Sequence, residues 1–196
     1  MSAFEEQPCV GLFGTCGDST FRQELFIPAY ERLGITYFNP QVEDWEPGRA
    51  DIEADHLVHD VVQCWPVLGS TYGTGSLAEH GFPIASSLHA STPLPKFIIS
   101  LVEADLDEPL ADEVAGRESA RARTLSLAHL ANVTALNLFR VSSLEEMLEV
   151  SIVLSGVAKN LVELARQHNP AYQRFVENRR ANQALIQNAR TDVPGE

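Results

Sequence analysis

The residues best placed to do chemistry lie in the run Ser70-Thr71-Tyr72-Gly73-Thr74-Gly75-Ser76-Leu77-Ala78-Glu79-His80-Gly81. Gly73 and Gly75 permit a tight turn, and small hydroxyl residues lead into a helix expected over about Ser76 to Leu88. Glu79 then sits about one turn into that helix, with Ser76 at i−3 and His80 at i+1. The helix dipole would keep such a carboxylate ionised, which suits a nucleophile better than a general acid. Tyr72, Gly75 and Ser76 would line the approach to it. A plainer reading has Glu79 complementing the dipole and doing no chemistry, and on pattern alone that reading is the stronger.

A second candidate is Gly14-Thr15-Cys16-Gly17-Asp18-Ser19-Thr20. Gly14 after a strand lets a ligand approach the backbone, and free N–H groups at a following helix start attract an anion. Thr15, Ser19 and Thr20 add hydroxyls, and Arg22 adds charge. The run lacks the GK[ST] ending of a P-loop and is not GxGxxG. It reads equally as an ordinary strand-to-helix turn with a capped helix. Cys16, at a helix start that favours a thiolate, is a weak alternative nucleophile, because no histidine in the sequence marks its activating partner.

The third candidate runs from Asn39-Pro40 to Trp45. Asn39 could grip a sugar hydroxyl or simply make a turn. Trp45 could be a stacking lid, while Glu43 and Asp44 read as solvated charges. His56 and His59, at i and i+3, could hold a metal together with His80, but a surface or capping role fits them better. Arg117, Arg121 and Arg123 read as a solvated helix face, and Trp65 and Phe82 as core.

These candidates need a scaffold, and the apolar rhythm supplies one. Strands are expected at Val10–Gly14, Ile35–Phe38, Asp60–Val67 (frayed at Pro66), Lys96–Val102 and Ala135–Val141. Helices are expected from Ser19 or Thr20, either of which could cap, to Leu33, and over about Ala50–Val58, Ser76–Leu88 and Ala115–Ala131. A last helical stretch, capped by Ser142 or Ser143, runs to about Ala189 with a break at Asn169-Pro170. Alternating strands and helices imply right-handed crossovers and a parallel sheet. The expectation is a flavodoxin-like (Rossmann-like) three-layer α/β sandwich. It has five strands in the order 2-1-3-4-5, helices on both faces and an extended helical C-terminus. Ligands bind such sheets beyond the carboxyl ends of the strands, at the switch between strands one and three. One domain is expected over 1–196: a core at about 8–150, a helical extension at about 151–189 that covers the sheet or meets a second subunit, and a disordered tail at about 190–196.

The 196 residues suffice for a real core. The 14 basic residues against 27 acidic ones give a net charge of −13, which repels phosphate backbones and anionic membranes. A local nest can still take a small anion. Three cysteines without framework spacing, and no apolar leader or long apolar run, point to the reducing cytoplasm.

From about Val10 to Val150 the pattern resembles the nucleoside 2-deoxyribosyltransferase-like family. The residues that carry this are Val10–Gly14, Phe21-Arg22, Tyr37-Phe38-Asn39-Pro40, the Trp45 loop, Asp60-Val61-Val62, Phe139 to Glu146 and, most specifically, Gly75-Ser76-Leu77-Ala78-Glu79-His80-Gly81. The resemblance implies that Glu79 is a nucleophile attacking the anomeric carbon of a nucleoside or nucleotide. The base would leave and a glycosyl-enzyme ester would pass its sugar to water or a second base. It implies no metal or organic cofactor, and a homo-oligomer. Many members carry a tyrosine where this chain has Gly11, and an aspartate where it has Gly73. Their aspartate before strand three has Asp51 and Asp55 as candidates, and Tyr72 could replace a missing hydroxyl. Gly75 to Glu79 also looks like half of the motif of the lysine-decarboxylase-like phosphoribohydrolases, whose second glycine motif is not visible. The loss of residues at Gly11 and Gly73 motivates a further alternative, a non-catalytic nucleotide-binding or sensing module on the same fold.

Overall fold

Five short apolar segments form the strands β1 (Val10–Leu12), β2 (Tyr37–Phe38), β3 (Val62–Val67), β4 (Phe97–Val102) and β5 (Leu138–Arg140). The computed structural model describes residues 8–16, 19–42, 46, 48–88, 94–133, 135–174, 176–178 and 181. The strands make one all-parallel sheet in the order β2-β1-β3-β4-β5. The expected α/β, flavodoxin-like architecture is therefore the observed one. In register, Leu12 lies opposite Cys64, and Val67 opposite Val102.

Pro66 is not frayed. It sits buried inside β3, opposite Leu101. A proline removes an N–H from a ladder. On this side β1 has already ended at Leu12, so no ladder bond is asked of it.

Alternation along the strands sorts the core into two layers. Val10 and Leu12, Val62 and Cys64, and Ile99 and Leu101 face one side. They pack against Phe21, Phe26 and Tyr30, and against Met147, Leu154 and Ala158 of α5 (Leu144–His168). Phe13, Trp65 and Ile98 face the other side, against Leu57 and Ile84. Those last two come from α2 (Gly48–His59) and α3 (Thr74–Leu88), and α3 packs in turn on α4 (Val114–Asn132). Phe13 stacks on Trp65 with centroids 5.0 Å apart, a pair worth about 0.5–1.5 kcal/mol beyond its buried area.

The first helix departs from expectation at its start. Arg22–Phe26 is wound as a π-helix, and the α-helical part, α1, is Ile27–Leu33. Pro28 has no N–H to return to the preceding turn, and that turn widens, Ile27 N donating five residues back to Arg22 O. No side chain caps this helix, so neither Ser19 nor Thr20 plays the expected role. Ser143 does cap α5, its hydroxyl accepting from Glu146 N at 3.1 Å, while the Glu146 carboxylate accepts from Ser142 N at 2.7 Å. The expected break falls at Asn169, with helix resuming at Pro170. The pattern toward Ala189 and the tail beyond it lie outside the described residues. No described helix is long and apolar enough to cross a membrane.

Phe82 is exposed rather than core. Leu77, His80 and Ile84 share the inward face of α3, and position 82 turns away from it.

Candidate functional site

The loops leaving β1 and β3 bound the switch point, and a buried arginine holds each of them. Arg22 is fully buried. Its Nε donates to Leu12 O at 2.8 Å, Nη1 to Thr15 O at 2.7 Å and Nη2 to Phe13 O at 2.8 Å. Arg123 reaches in from α4. Its Nη1 donates to Val67 O at 3.1 Å and Glu103 O at 2.8 Å, and its Nη2 to Leu68 O and Thr71 O, both at 2.7 Å. Burial lowers both guanidiniums from their ordinary values. Arg123 is thus not part of a solvated face, and the donors of Arg22 go to the loop's own carbonyls.

Thr15 stitches the two loops together. It is buried, donates from Oγ1 to Pro66 O at 2.9 Å, and accepts from Leu68 N at 3.0 Å. Gly14 allows this closeness. Its φ is +85°, and a Cβ there would stand 2.3 Å from Pro66 O. Gly73 is likewise left-handed, at φ +59°, and a Cβ would come within 2.8 Å of Val67. A side chain at 73 would be strained, so the backbone of this loop itself asks for glycine.

Glu79 stands on α3 and acts electrostatically with Glu53 of α2. Its carboxyl lies above its ordinary value, first because partial burial disfavours the charge and then because the Glu53 carboxylate repels it. Glu53 is itself raised by burial, and the Arg22 guanidinium opposes that rise. Arg22 also lies against Cys16, with Nη2 3.8 Å from Sγ. Cys16, Arg22, Glu53 and Glu79 thus form a linked chain of charged and polar groups at the carboxyl edge of β1 and β3. Burial and a like charge thus act on Glu79 against the pull of the helix dipole.

Sequence reasoning missed Glu53, preferring Asp51 and Asp55. Asp51 is exposed, and Asp55 pairs with His59 at 2.9 Å. The usable signal was periodicity. Glu53 is at i−3 from His56, and the buried His56 marks the inward face of α2.

The other candidates have separate positions. Ser19 and Thr20 line a cavity of about 490 Å³ with Glu24, Ser70 and Glu145, on the α1 and α5 side of the loops. Glu79 is not among its walls. Ser19 is 8% exposed, and among the described residues its Oγ and that of Thr71 are buried without a hydrogen-bond partner. Asn39 Oδ1 accepts from Gln41 N at 3.0 Å, the turn-making alternative. Tyr72 donates its hydroxyl to Glu113 at 2.5 Å. Gly75 and Ser76 form the first turn of α3, where a Cβ on Gly75 would meet nothing within 4 Å. Trp45, with Glu43 and Asp44, lies outside the described residues.

His80 faces inward beside Trp65, its Nε2 3.1 Å from Ser100 Oγ, and burial holds it down at about 4. It is a neutral core group. His56, His59 and His80 are not brought together. His56 pairs with Asp60, and His59 with Asp55.

No protein-family model matches the chain, and no curated protein or solved structure matches it either. The functional argument therefore rests on these residues.

Proposed function

We propose that this chain cleaves the N-glycosidic bond of a nucleoside or nucleotide and passes the sugar to water or a second base. The observation that carries the reading is that half-buried Glu53 of α2 and exposed Glu79 of α3 meet at the carboxyl edge of the switch-point strands, near enough for the charge of one to act on the other. Two carboxyls held in different surroundings are what such a displacement uses. A Glu79 carboxylate oxygen attacks the anomeric carbon. The carbon–nitrogen bond breaks with its electron pair going to the base, and the base takes a proton from Glu53. Water or a second base then attacks the same carbon, gives its proton back to Glu53 and frees Glu79. A carboxylate with a raised midpoint is the better nucleophile while it is ionised at neutral pH.

The setting proposed is the cytoplasm, where no disulfide would join Cys9, Cys16 and Cys64. A homo-oligomer is part of the same reading, and the exposed Val153, Val157 and Leu164 on α5 favour it.

The test is incubation with a pool of ribo- and deoxyribonucleosides and their monophosphates, with free base read by mass spectrometry. The wild type should release base and Glu79→Ala should not. Release that survives Glu79→Ala unchanged would sink the assignment. Thermal stabilisation by a nucleotide, without turnover, would replace it with a binding module.

A further inference from the structure

At the amino edge of the sheet, opposite the edge that carries Glu79, three buried groups converge. Cys9 precedes β1, Asp60 precedes β3, and His56 lies in the last turn of α2. They are 7%, 2% and 4% exposed. Cys9 Sγ lies 4.0 Å from His56 Nδ1, which lies 3.0 Å and 3.1 Å from the two oxygens of Asp60. One donor atom from each falls within 4.8 Å of the others.

Two ordinary readings do not cover this arrangement. A thiol–imidazole–carboxylate relay uses one ring nitrogen for each partner. Here Nδ1 faces both the carboxylate and the sulfur, and burial keeps substrate away. An i,i+4 ion pair accounts for His56 and Asp60 but not for the sulfur brought against the same nitrogen. Donors that converge on one point are the geometry of a metal site. With bonds of about 2.3 Å to sulfur and about 2.0 Å to nitrogen or oxygen, tetrahedral neighbours sit roughly 3.3–3.6 Å apart. The observed separations bracket that range. Phe38 stacks on the His56 imidazole with centroids 3.7 Å apart and planes at 4°, which holds the plane of the ring.

We infer that Cys9, His56 and Asp60 bind one zinc ion. Thiolate, imidazole and carboxylate together suit zinc, and three protein donors leave a fourth position for water. On binding, the Cys9 thiol loses its proton to solvent and the imidazole keeps its proton on Nε2. Thiolate and Asp60 then balance the ion's two charges. Lys96 is the nearby cation, acting on Asp60 while its Nζ donates to Leu57 O at 2.9 Å. The ion would fasten the entrances of β1 and β3 to the end of α2. It lies at the opposite edge of the sheet and is independent of the reading of Glu79.

The test uses the full chain, stripped with a chelator and titrated with Zn²⁺ or Co²⁺. One equivalent should bind, and the Co²⁺ form should show a thiolate-to-metal charge-transfer band with tetrahedral visible absorption. Cys9→Ser should abolish that band and weaken Zn²⁺ binding by at least about tenfold, while Cys16→Ser leaves both unchanged. A folded wild type that binds no stoichiometric metal would overturn the inference. So would binding without a thiolate band, or binding that Cys9→Ser leaves intact. Should Cys9→Ser not fold, the wild-type cobalt spectrum, repeated on Cys16→Ser, decides the matter.

Discussion

Arg22 and Arg123 grip the two loops of the switch point from opposite faces of the sheet, each giving its guanidinium to main-chain carbonyls. Arg123 holds Val67, Leu68, Thr71 and Glu103 at 2.7–3.1 Å. Arg123→Leu leaves these acceptors without their donor, at about 1–3 kcal/mol for each one that stays buried. Water will reach some of them, so the expected loss is about 3–5 kcal/mol, read by urea unfolding. Arg123→Lys should recover little of it, because a point charge cannot serve four carbonyls in a plane. A loss below about 1 kcal/mol would show that the loop holds its shape unaided.

The Glu53–Glu79 pair makes a pH prediction. Repulsion from Glu53 helps to lift Glu79 above its ordinary 4.5. Glu53→Gln removes that charge, so the midpoint of Glu79 falls, read by NMR titration of the Glu79 carboxyl, while base release is lost with its proton donor. Stability must follow the same sign. A carboxyl raised in the folded state contributes stability that is present below its unfolded pKa and is lost as pH rises through its folded pKa. Glu79→Gln should therefore have a higher Tm than the wild type at pH 7, and nearly the same Tm at about pH 4. An equal Tm at both would show that Glu79 is solvated like any surface residue.

Thr15 gives a test of loop geometry apart from charge. Its hydroxyl bridges Pro66 O and Leu68 N. Thr15→Val keeps the shape and removes the bridge, leaving a buried N–H without its acceptor. The expected cost is about 1–3 kcal/mol in urea unfolding. Thr15→Ser, which keeps the hydroxyl, should recover most of it.

The sheet was legible because its strands are apolar runs set between glycine and proline, and because the strand–helix rhythm admits few topologies. Every strand proved shorter than its apolar run, since pairing stops where the shorter neighbour stops. Arg123 was read as part of a solvated helix face. A charged side chain counts as a surface residue until the carbonyls that receive it are placed, and those come from segments up to 56 residues away. His56 and Cys9 were opaque in the same way, being 47 residues apart. Glu79 was singled out from its loop, whereas placing Glu53 required knowing which face of α2 turns inward.

Gly11 carries the last prediction. The space that a side chain would need there is already filled. A Cβ on Gly11 would stand 2.2 Å from the Phe13 ring and 2.9 Å from Asp60 Oδ2. The backbone gives no reason for glycine, since its φ is not left-handed. The constraint is room. Gly11→Ala should cost about 1–3 kcal/mol by overpacking, and Gly11→Tyr more. Phe13→Ala alone should cost about 3–5 kcal/mol, because it also forfeits the Trp65 stack. In Gly11→Tyr/Phe13→Ala the new ring takes space that Phe13 vacates, so the combined loss should fall well short of the sum. Urea unfolding of the four proteins in a double-mutant cycle measures this. Additivity within about 0.5 kcal/mol would show that the two rings do not compete for one site.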